Sequence, residues 1–310
     1  MKVRTNHFSP LLALILATLL SSDALAQAGA SGRPTAVSTA SSVAGELRLH
    51  QLKSQVFGNA RAIRVLLPHG YGERANRKRR YPVLYLNDGQ NLFDVATSIF
   101  NPMEWQADET VGRLIGARDI EPVIVVGIDN AGRSGRANEY LPFPDIYLRP
   151  PLANPEGSKY PEFLTREVMP FINARYRTRT GSQHTALGGS SYGALVALYT
   201  VIKKPGVFGR LLLESPSLYV SDARIVNESQ SFKRWPRRIF IGVGTNEDGV
   251  ENCKPGNRDQ EAVRDVLKLE RIIRSAGGAR LDVLVEDCTI HNEAAWAKRL
   301  PHALKFLYGR

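Results

Sequence analysis

Val123–Ile128 (VIVVGI) has no polar face. A strand that is apolar on both sides must be covered on both sides, as a central strand of a parallel sheet is. Short continuous runs of the same kind recur at Pro82–Asn87, His184–Leu187, Leu211–Glu214, Ile239–Val243 and Leu281–Glu286. Between them lie stretches with helical spacing: Glu104–Ile115, Tyr160–Tyr176 with a kink expected at Pro170, Ala194–Lys203, Gln260–Ser275, and Ala294–Leu307, where Pro301 restarts the helix. Leu47–Phe57 and Ala62–Leu67 read as an opening hairpin. Strands alternating with helices imply an α/β fold, with a mostly parallel central sheet and helices on both faces. No linker divides residues 46–310, which are expected to form one domain.

Composition removes several function classes. Apolar residues are 43% of the 310, enough for a core, and no period of 20–50 residues recurs as a solenoid or propeller requires. The six histidines are dispersed and the two cysteines have no Cys-x-x-Cys spacing, so no metal centre is expected. No glycine-rich loop matches a phosphate-binding or dinucleotide fingerprint in a strand–helix context, so no cofactor is expected. The net charge of +11 comes from 41 basic and 30 acidic residues. Such a balance hints at an anionic substrate, but the positives are scattered. The one dense run, Arg77-Lys78-Arg79-Arg80, leads into Tyr81-Pro82 and reads as a solvated loop, so no nucleic-acid partner is expected.

The N-terminus carries an export signal pattern. Lys2 and Arg4 precede an apolar stretch, Leu11–Leu20, and Ala24 and Ala26 form the A-x-A pattern of a secretory signal peptide. Residues 1–26 are expected to be cleaved, leaving no membrane anchor and a periplasmic or secreted chain. Residues 27–45, small and polar, read as a flexible leader.

Gly189-Ser190-Ser191-Tyr192-Gly193 matches G-x-S-x-G. It follows a short strand and opens an apolar helix, the context of a nucleophile elbow, in which glycines let the turn close tightly around the serine. A serine hydroxyl needs a base within hydrogen-bond reach, and the base needs an orienting acid. In this arrangement the chain order is serine, acid, histidine. His291 and His302 are the histidines after Ser191. His291 follows a strand across a short loop, whereas His302 lies inside the last helical stretch. The acid belongs to the exit loop of the strand Ile239–Val243, where Glu247 and Asp248 are both candidates; spacing alone does not choose between them. Acyl transfer also needs oxyanion donors. The backbone N–H of Tyr192, after the nucleophile, and that of Gln90, in the turn after Pro82–Asn87, are the candidates.

These segments resemble a known family. Asn87-Asp88-Gly89-Gln90-Asn91-Leu92-Phe93 is similar to the "DGQNLF" signature of the esterase family of α/β-hydrolases. That family includes enterochelin-type siderophore esterases, feruloyl and acetyl-xylan esterases, esterase D and the mycolyltransferases. Pro170-Phe171-Ile172 with Arg175-Tyr176-Arg177, the elbow, Ser215-Pro216-Ser217, Gly244-Thr245-Asn246-Glu247 and His291-Asn292-Glu293 with Trp296 follow in the family's order. The elbow departs from the family's "GSSMGG" in carrying Tyr192 for Met and Ala194 for the last Gly. The resemblance implies an α/β-hydrolase fold and a serine carboxylic-ester hydrolase acting through an acyl-enzyme. Its "GTxE" match favours Glu247 over Asp248. The substrate it implies is a small-molecule, siderophore or polysaccharide ester. An acyltransferase passing the acyl group to a sugar or lipid alcohol is the alternative, and a silent binding module of the same fold is a third reading.

Cys253 lies in the acid loop and Cys288 just before His291. In an exported chain whose two loops must converge, these cysteines are expected to pair.

Overall fold

The computed structural model describes residues 41–99, 102–146 and 148–309. The expected signal peptide and residues 27–40 of the expected leader lie outside these. Eight strands form one sheet in the order β1-β2-β4-β3-β5-β6-β7-β8. They are β1 (Glu46–Lys53), β2 (Ala60–Leu67), β3 (Val83–Asn87), β4 (Ile124–Ile128), β5 (Thr185–Ser190), β6 (Arg210–Glu214), β7 (Arg238–Gly244) and β8 (Arg280–Glu286). β1 and β2 form the antiparallel hairpin, β2 runs antiparallel to β4, and every pairing from β4 through β8 is parallel.

Alternation along the strands explains the two-sided apolar runs. Ile124, Val126 and Ile128 enter one core layer with Tyr85, Leu187, Leu213 and Ile241. Val125 enters the other with Leu84, Leu86, Leu212 and Phe240. The second layer is closed by α1 (Ala107–Gly116) and α8 (Glu293–Tyr308), through Val111, Leu114, Leu300 and Leu304. The first is closed mainly by α5 (Tyr192–Lys203), α6 (Val220–Ser229) and α7 (Glu261–Ala276). Each fully buried Leu, Ile or Val adds about 1.5–3 kcal/mol relative to exposure.

The helix expected over Tyr160–Tyr176 is three pieces: α3 (Tyr160–Glu162), a π-helical stretch Phe163–Val168, and α4 (Met169–Arg175). The irregularity lies on the N-terminal side of Pro170. Proline has no N–H and its ring crowds the carbonyl four residues back, so the turn before it widens, and Met169 N–H reaches the Leu164 carbonyl. A further helix that the spacing did not show, α2 (Gly132–Tyr140), follows β4.

The end of the expected leader is tied down. Ser41 Oγ donates to Asp94 Oδ2 at 2.7 Å, Ser42 Oγ to Glu104 Oε1 at 2.5 Å, and Ala44 N–H to Asp108 Oδ2 at 2.5 Å. Three carboxylates of the folded part thus take polar groups of Ser41, Ser42 and Ala44.

Candidate active site

Parallel strands carry their exit loops to one edge of the sheet, and the sequence-predicted residues gather there. β5 ends at Ser190, and Ser191 takes φ 56° and ψ −128° as it caps α5. A non-glycine residue in that region is strained, and neighbouring contacts must hold it. Here Ser191 N–H donates to the Glu214 carbonyl at 3.0 Å, and its own carbonyl accepts from Ala194 and Leu195, each at 3.1 Å. A Cβ on Gly189 would sit 2.8 Å from the Gly193 carbonyl carbon, and one on Gly193 would sit 2.9 Å from Asp88 Oδ2. The glycines of the elbow are thus set by close approach. Asn87 Nδ2 pins the turn by donating to the Gly193 carbonyl at 2.7 Å, and Tyr160 hydroxyl in turn holds Asn87 Oδ1 at 2.5 Å.

The loops after β7 and β8 pass in contact. A Cβ on Gly244 would lie 1.9 Å from the Thr289 carbonyl oxygen, so only glycine fits. Asn246 N–H donates to that carbonyl at 3.2 Å, and Cys288 N–H donates to Thr245 Oγ1 at 2.8 Å. Cys253 and Cys288 form a disulfide with Cα atoms 5.6 Å apart, which adds a covalent link between the same loops.

This pair of loops carries His291 and Glu247. His291 Nδ1 lies 2.6 Å from Glu247 Oε2. The other carboxylate oxygen, Oε1, accepts from Ser215 Oγ at 2.8 Å and from Gly244 N–H at 2.5 Å. Burial alone would raise the Glu247 carboxyl; the hydrogen bond and charge of His291, with the Gly244 and Ser215 donors, outweigh it and hold the group below its usual value. Asp248 is exposed and borders the same cavity, but the carboxylate on His291 is that of Glu247. The His291 ring stands edge-on to Trp296, with centroids 5.1 Å apart. His302 is remote from this edge and pairs with Asp282 at 2.6 Å on the surface.

Ser191 and His291 both border a cavity of about 550 Å³, with Glu247, Asp248, Ser217 and Tyr219. They also border a smaller recess of about 200 Å³ reached by Asp88, Asn91 and Arg136. Ser191 Oγ lies 3.3 Å from Ser217 Oγ. As the first residue of α5, Tyr192 has an N–H with no acceptor inside its own helix. Gln90 is buried in the turn after β3, its Oε1 accepting from Asn130 N–H at 3.2 Å, while the adjacent Asp88 and Asn91 line the recess. Besides His291, the charged side chains lining the larger cavity are Asp222, Glu247, Asp248 and Glu261. Neither Lys nor Arg lines the larger cavity among the described residues, and Arg136 at the smaller recess is paired with Asp88.

Sequence reasoning gave no role to the groups that support Glu247. Ser215 Oγ accepts from Trp296 Nε1 at 3.0 Å and from Arg299 Nη2 at 3.3 Å. Arg299 also pairs with fully buried Glu214 at 2.8 Å. Burial pushes the Glu214 carboxyl up to about 7, with Arg299 opposing it. On the other side of the elbow, Arg136 makes a two-pronged ion pair with Asp88, both contacts at 2.8 Å. The "SPS" and "HNExxW" matches pointed at Ser215 and Trp296 without assigning them work. Nothing in the sequence singled out Arg136 or Arg299. No group of three or more His, Cys, Asp or Glu side chains could hold a metal ion among the described residues.

The family described as "Putative esterase" matches residues 54–307. A siderophore enterobactin esterase of Emericella nidulans is 30% identical over 206 residues, which cover 62% of this chain and 62% of that one. Among solved structures, a siderophore hydrolase from Aspergillus nidulans superposes with a TM-score of 0.65 at 20% identity, covering 85% of this chain and 94% of its own. A ferulic acid esterase gives 0.63 at 20% identity, covering 85% and 98%. At that identity these structures establish the shared fold.

Proposed function

The chain belongs to the esterase family of α/β-hydrolases, carboxylic-ester hydrolases by activity, and from that premise we propose that it is an exported enzyme working through a Ser191–His291–Glu247 triad. The observation that carries this reading is the 2.6 Å contact of His291 Nδ1 with Glu247, on a histidine that shares its cavity with Ser191.

With Nδ1 bound to Glu247, Nε2 of neutral His291 carries the free lone pair. It takes the Ser191 proton as Oγ attacks the ester carbonyl. Glu247 fixes the tautomer and stabilises the imidazolium that forms. Negative charge developing on the carbonyl oxygen meets the N–H of Tyr192 at the start of α5, with Gln90 N–H as second donor. Collapse expels the alcohol, which receives the proton from His291. Water, activated by the same histidine, then releases the acid and restores Ser191.

The family covers several ester classes, and the fold does not choose among them. Siderophore esters come first for testing, because the relative with 30% identity is named for one; feruloyl esters come second. The cavity's acidic lining favours esters without net negative charge near the reacting carbonyl. The test is hydrolysis of a panel containing p-nitrophenyl acetate, a catecholate trilactone, a hydroxamate siderophore ester and a feruloyl sugar, with and without an added alcohol. Turnover of at least one ester, abolished in Ser191→Ala, supports the reading. No turnover of any ester by folded protein refutes it, and a transfer product outpacing hydrolysis makes it a transferase.

A further inference from the structure

At the edge of the sheet where the parallel strands begin, a second cavity of about 530 Å³ has Arg79, Arg80, Arg179, Arg210 and Arg238 in its wall against one carboxylate, Glu121. Arg210 and Arg238 are the first residues of β6 and β7, and the others lie just before β3, β4 and β5. The Ser191 cavity is at the strands' far end. At about 3.3 Å per residue the two are separated by roughly 15 Å or more.

The guanidinium groups are held in place with one carboxylate, Glu121, among the described residues of the lining. Arg80 Nη1 donates to the Thr178 carbonyl at 3.3 Å. Arg238 Nη1 donates to the carbonyls of Phe306, Leu307 and Gly309 at 2.9, 3.2 and 3.2 Å. Arg210 stacks over Tyr308, 4.5 Å from the ring centroid. Glu121 is shared: one oxygen faces Arg179, and the other accepts from Arg210 at 3.4 Å. Arg179 Nε and Arg210 Nη1 are sealed from solvent and find no acceptor among the described residues. The surplus is felt by neighbours. Arg238 is held below the usual arginine value by burial, then by Arg280 and Arg210, against Glu121. His184 is lowered by burial, then by Arg179 and, more weakly, Arg210, again against Glu121.

We propose that this cavity is an anion site separate from the Ser191 cavity, taking a ligand with clustered phosphoryl oxygens. Guanidinium forks match tetrahedral oxyanions and bind them two-pronged, and several forks facing one space suit a multiply charged group better than a lone carboxylate. The run Arg77-Lys78-Arg79-Arg80, read from sequence as a solvated loop, contributes two of these groups. The ligand is a free oligophosphate or a phosphate group carried by a lipid headgroup.

Calorimetric titration of the full folded chain with pyrophosphate reads the site directly. Saturable binding is expected, weakening as salt is raised. In Arg80→Gln/Arg179→Gln the affinity should fall at least about tenfold, since each charge-assisted hydrogen bond is worth about that or more. Ester hydrolysis should be unchanged, because neither residue reaches the Ser191 cavity. Arg80→Gln alone, an exposed loop substitution, guards against misfolding and should weaken binding in the same direction. Sedimentation with phosphatidate-containing vesicles, compared with phosphatidylcholine alone, separates the sources: vesicle binding displaced by pyrophosphate assigns the headgroup, and pyrophosphate binding without vesicle binding assigns the soluble anion. No saturable binding to either probe, or equal affinity in wild type and variants, overturns the proposal.

Discussion

Ser215 and Glu247 meet through a hydroxyl–carboxylate hydrogen bond of 2.8 Å, and that bond fills the oxygen that His291 does not use. Ser215 itself sits at φ 42°, directly after β6, and receives Trp296 Nε1 and Arg299 Nη2. The Glu247 carboxylate is thereby oriented from β6 and α8 as well as from its own loop. Carboxylate orientation matters because a misaimed acid releases the imidazole to rotate.

Ser215→Ala should therefore lower kcat by about tenfold, the worth of one hydrogen bond to a charged group, with KM little changed. The decline of activity at low pH should also shift upward, because Glu247 loses a donor that favours its charged form. Steady-state kinetics across pH on p-nitrophenyl acetate reads both. An unchanged pH profile would leave Ser215 a purely structural role.

Ser191→Ala should abolish turnover by several orders of magnitude with the fold intact, since no other group can form the acyl-enzyme. Ser190→Ala and Ser217→Ala should retain far more activity. Mass spectrometry after fluorophosphonate treatment should find the label on Ser191.

Glu247→Gln should cost about 10²–10⁴ in kcat, and Asp248→Asn little. A stability signature accompanies this. The native carboxyl lies below its ordinary value of 4.5, so folded protein binds fewer protons than unfolded between those two values. The stabilisation is complete above pH 4.5 and is lost as pH falls through the lower native value. Urea midpoints measured downward from pH 6 should drop more steeply in wild type than in Glu247→Gln.

Arg299→Met should destabilise by about 3–5 kcal/mol, because it strands Glu214 in the core. With its native value raised to about 7 from 4.5, Glu214 takes up a proton on folding between those limits, so its contribution falls as pH rises through the window. Denaturation should show a larger loss from the substitution at pH 8 than at pH 5, where the stranded carboxyl is protonated.

Mature protein from an oxidising compartment should show no free thiol when denatured without reductant. Reduction should cost about 4 kcal/mol in the chain-entropy account for the 35-residue separation. It should lower kcat more than it raises KM, because the linked loops carry His291 and Glu247 while Ser191 stands on another strand.

The centre of the sheet was legible because strands such as β3 and β4 are short and buried on both faces. The elbow was legible because Gly189 and Gly193 are required by backbone approach. α2 and α6 were not. Only Glu139 and Tyr140 are buried in α2, so it has no apolar stripe to read; the Arg136–Asp88 pair ties it to the elbow from outside its own pattern. In α6, Ser221, Asp222 and Ala223 take left-handed backbone angles, which no residue type there announces. Spacing did not distinguish Glu247 from Asp248 because both leave the same loop; their contacts differ through His291 and Ser215, which lie far from that loop in the chain and reach Glu247.

β8 is one of the two edges of the sheet, and none of its residues is fully buried. The histidine loop therefore hangs from an edge strand with no fully buried residue, while Ser191 follows a strand buried throughout. Edge elements open in sub-global fluctuations that leave the rest of a fold intact. Amides of β8 should exchange with deuterium well before those of β5, and hydrolysis should fade on warming while most of the helical signal persists. In such a molecule activity reports the integrity of one border of the sheet, and the Cys253–Cys288 link is placed where that border would first come away.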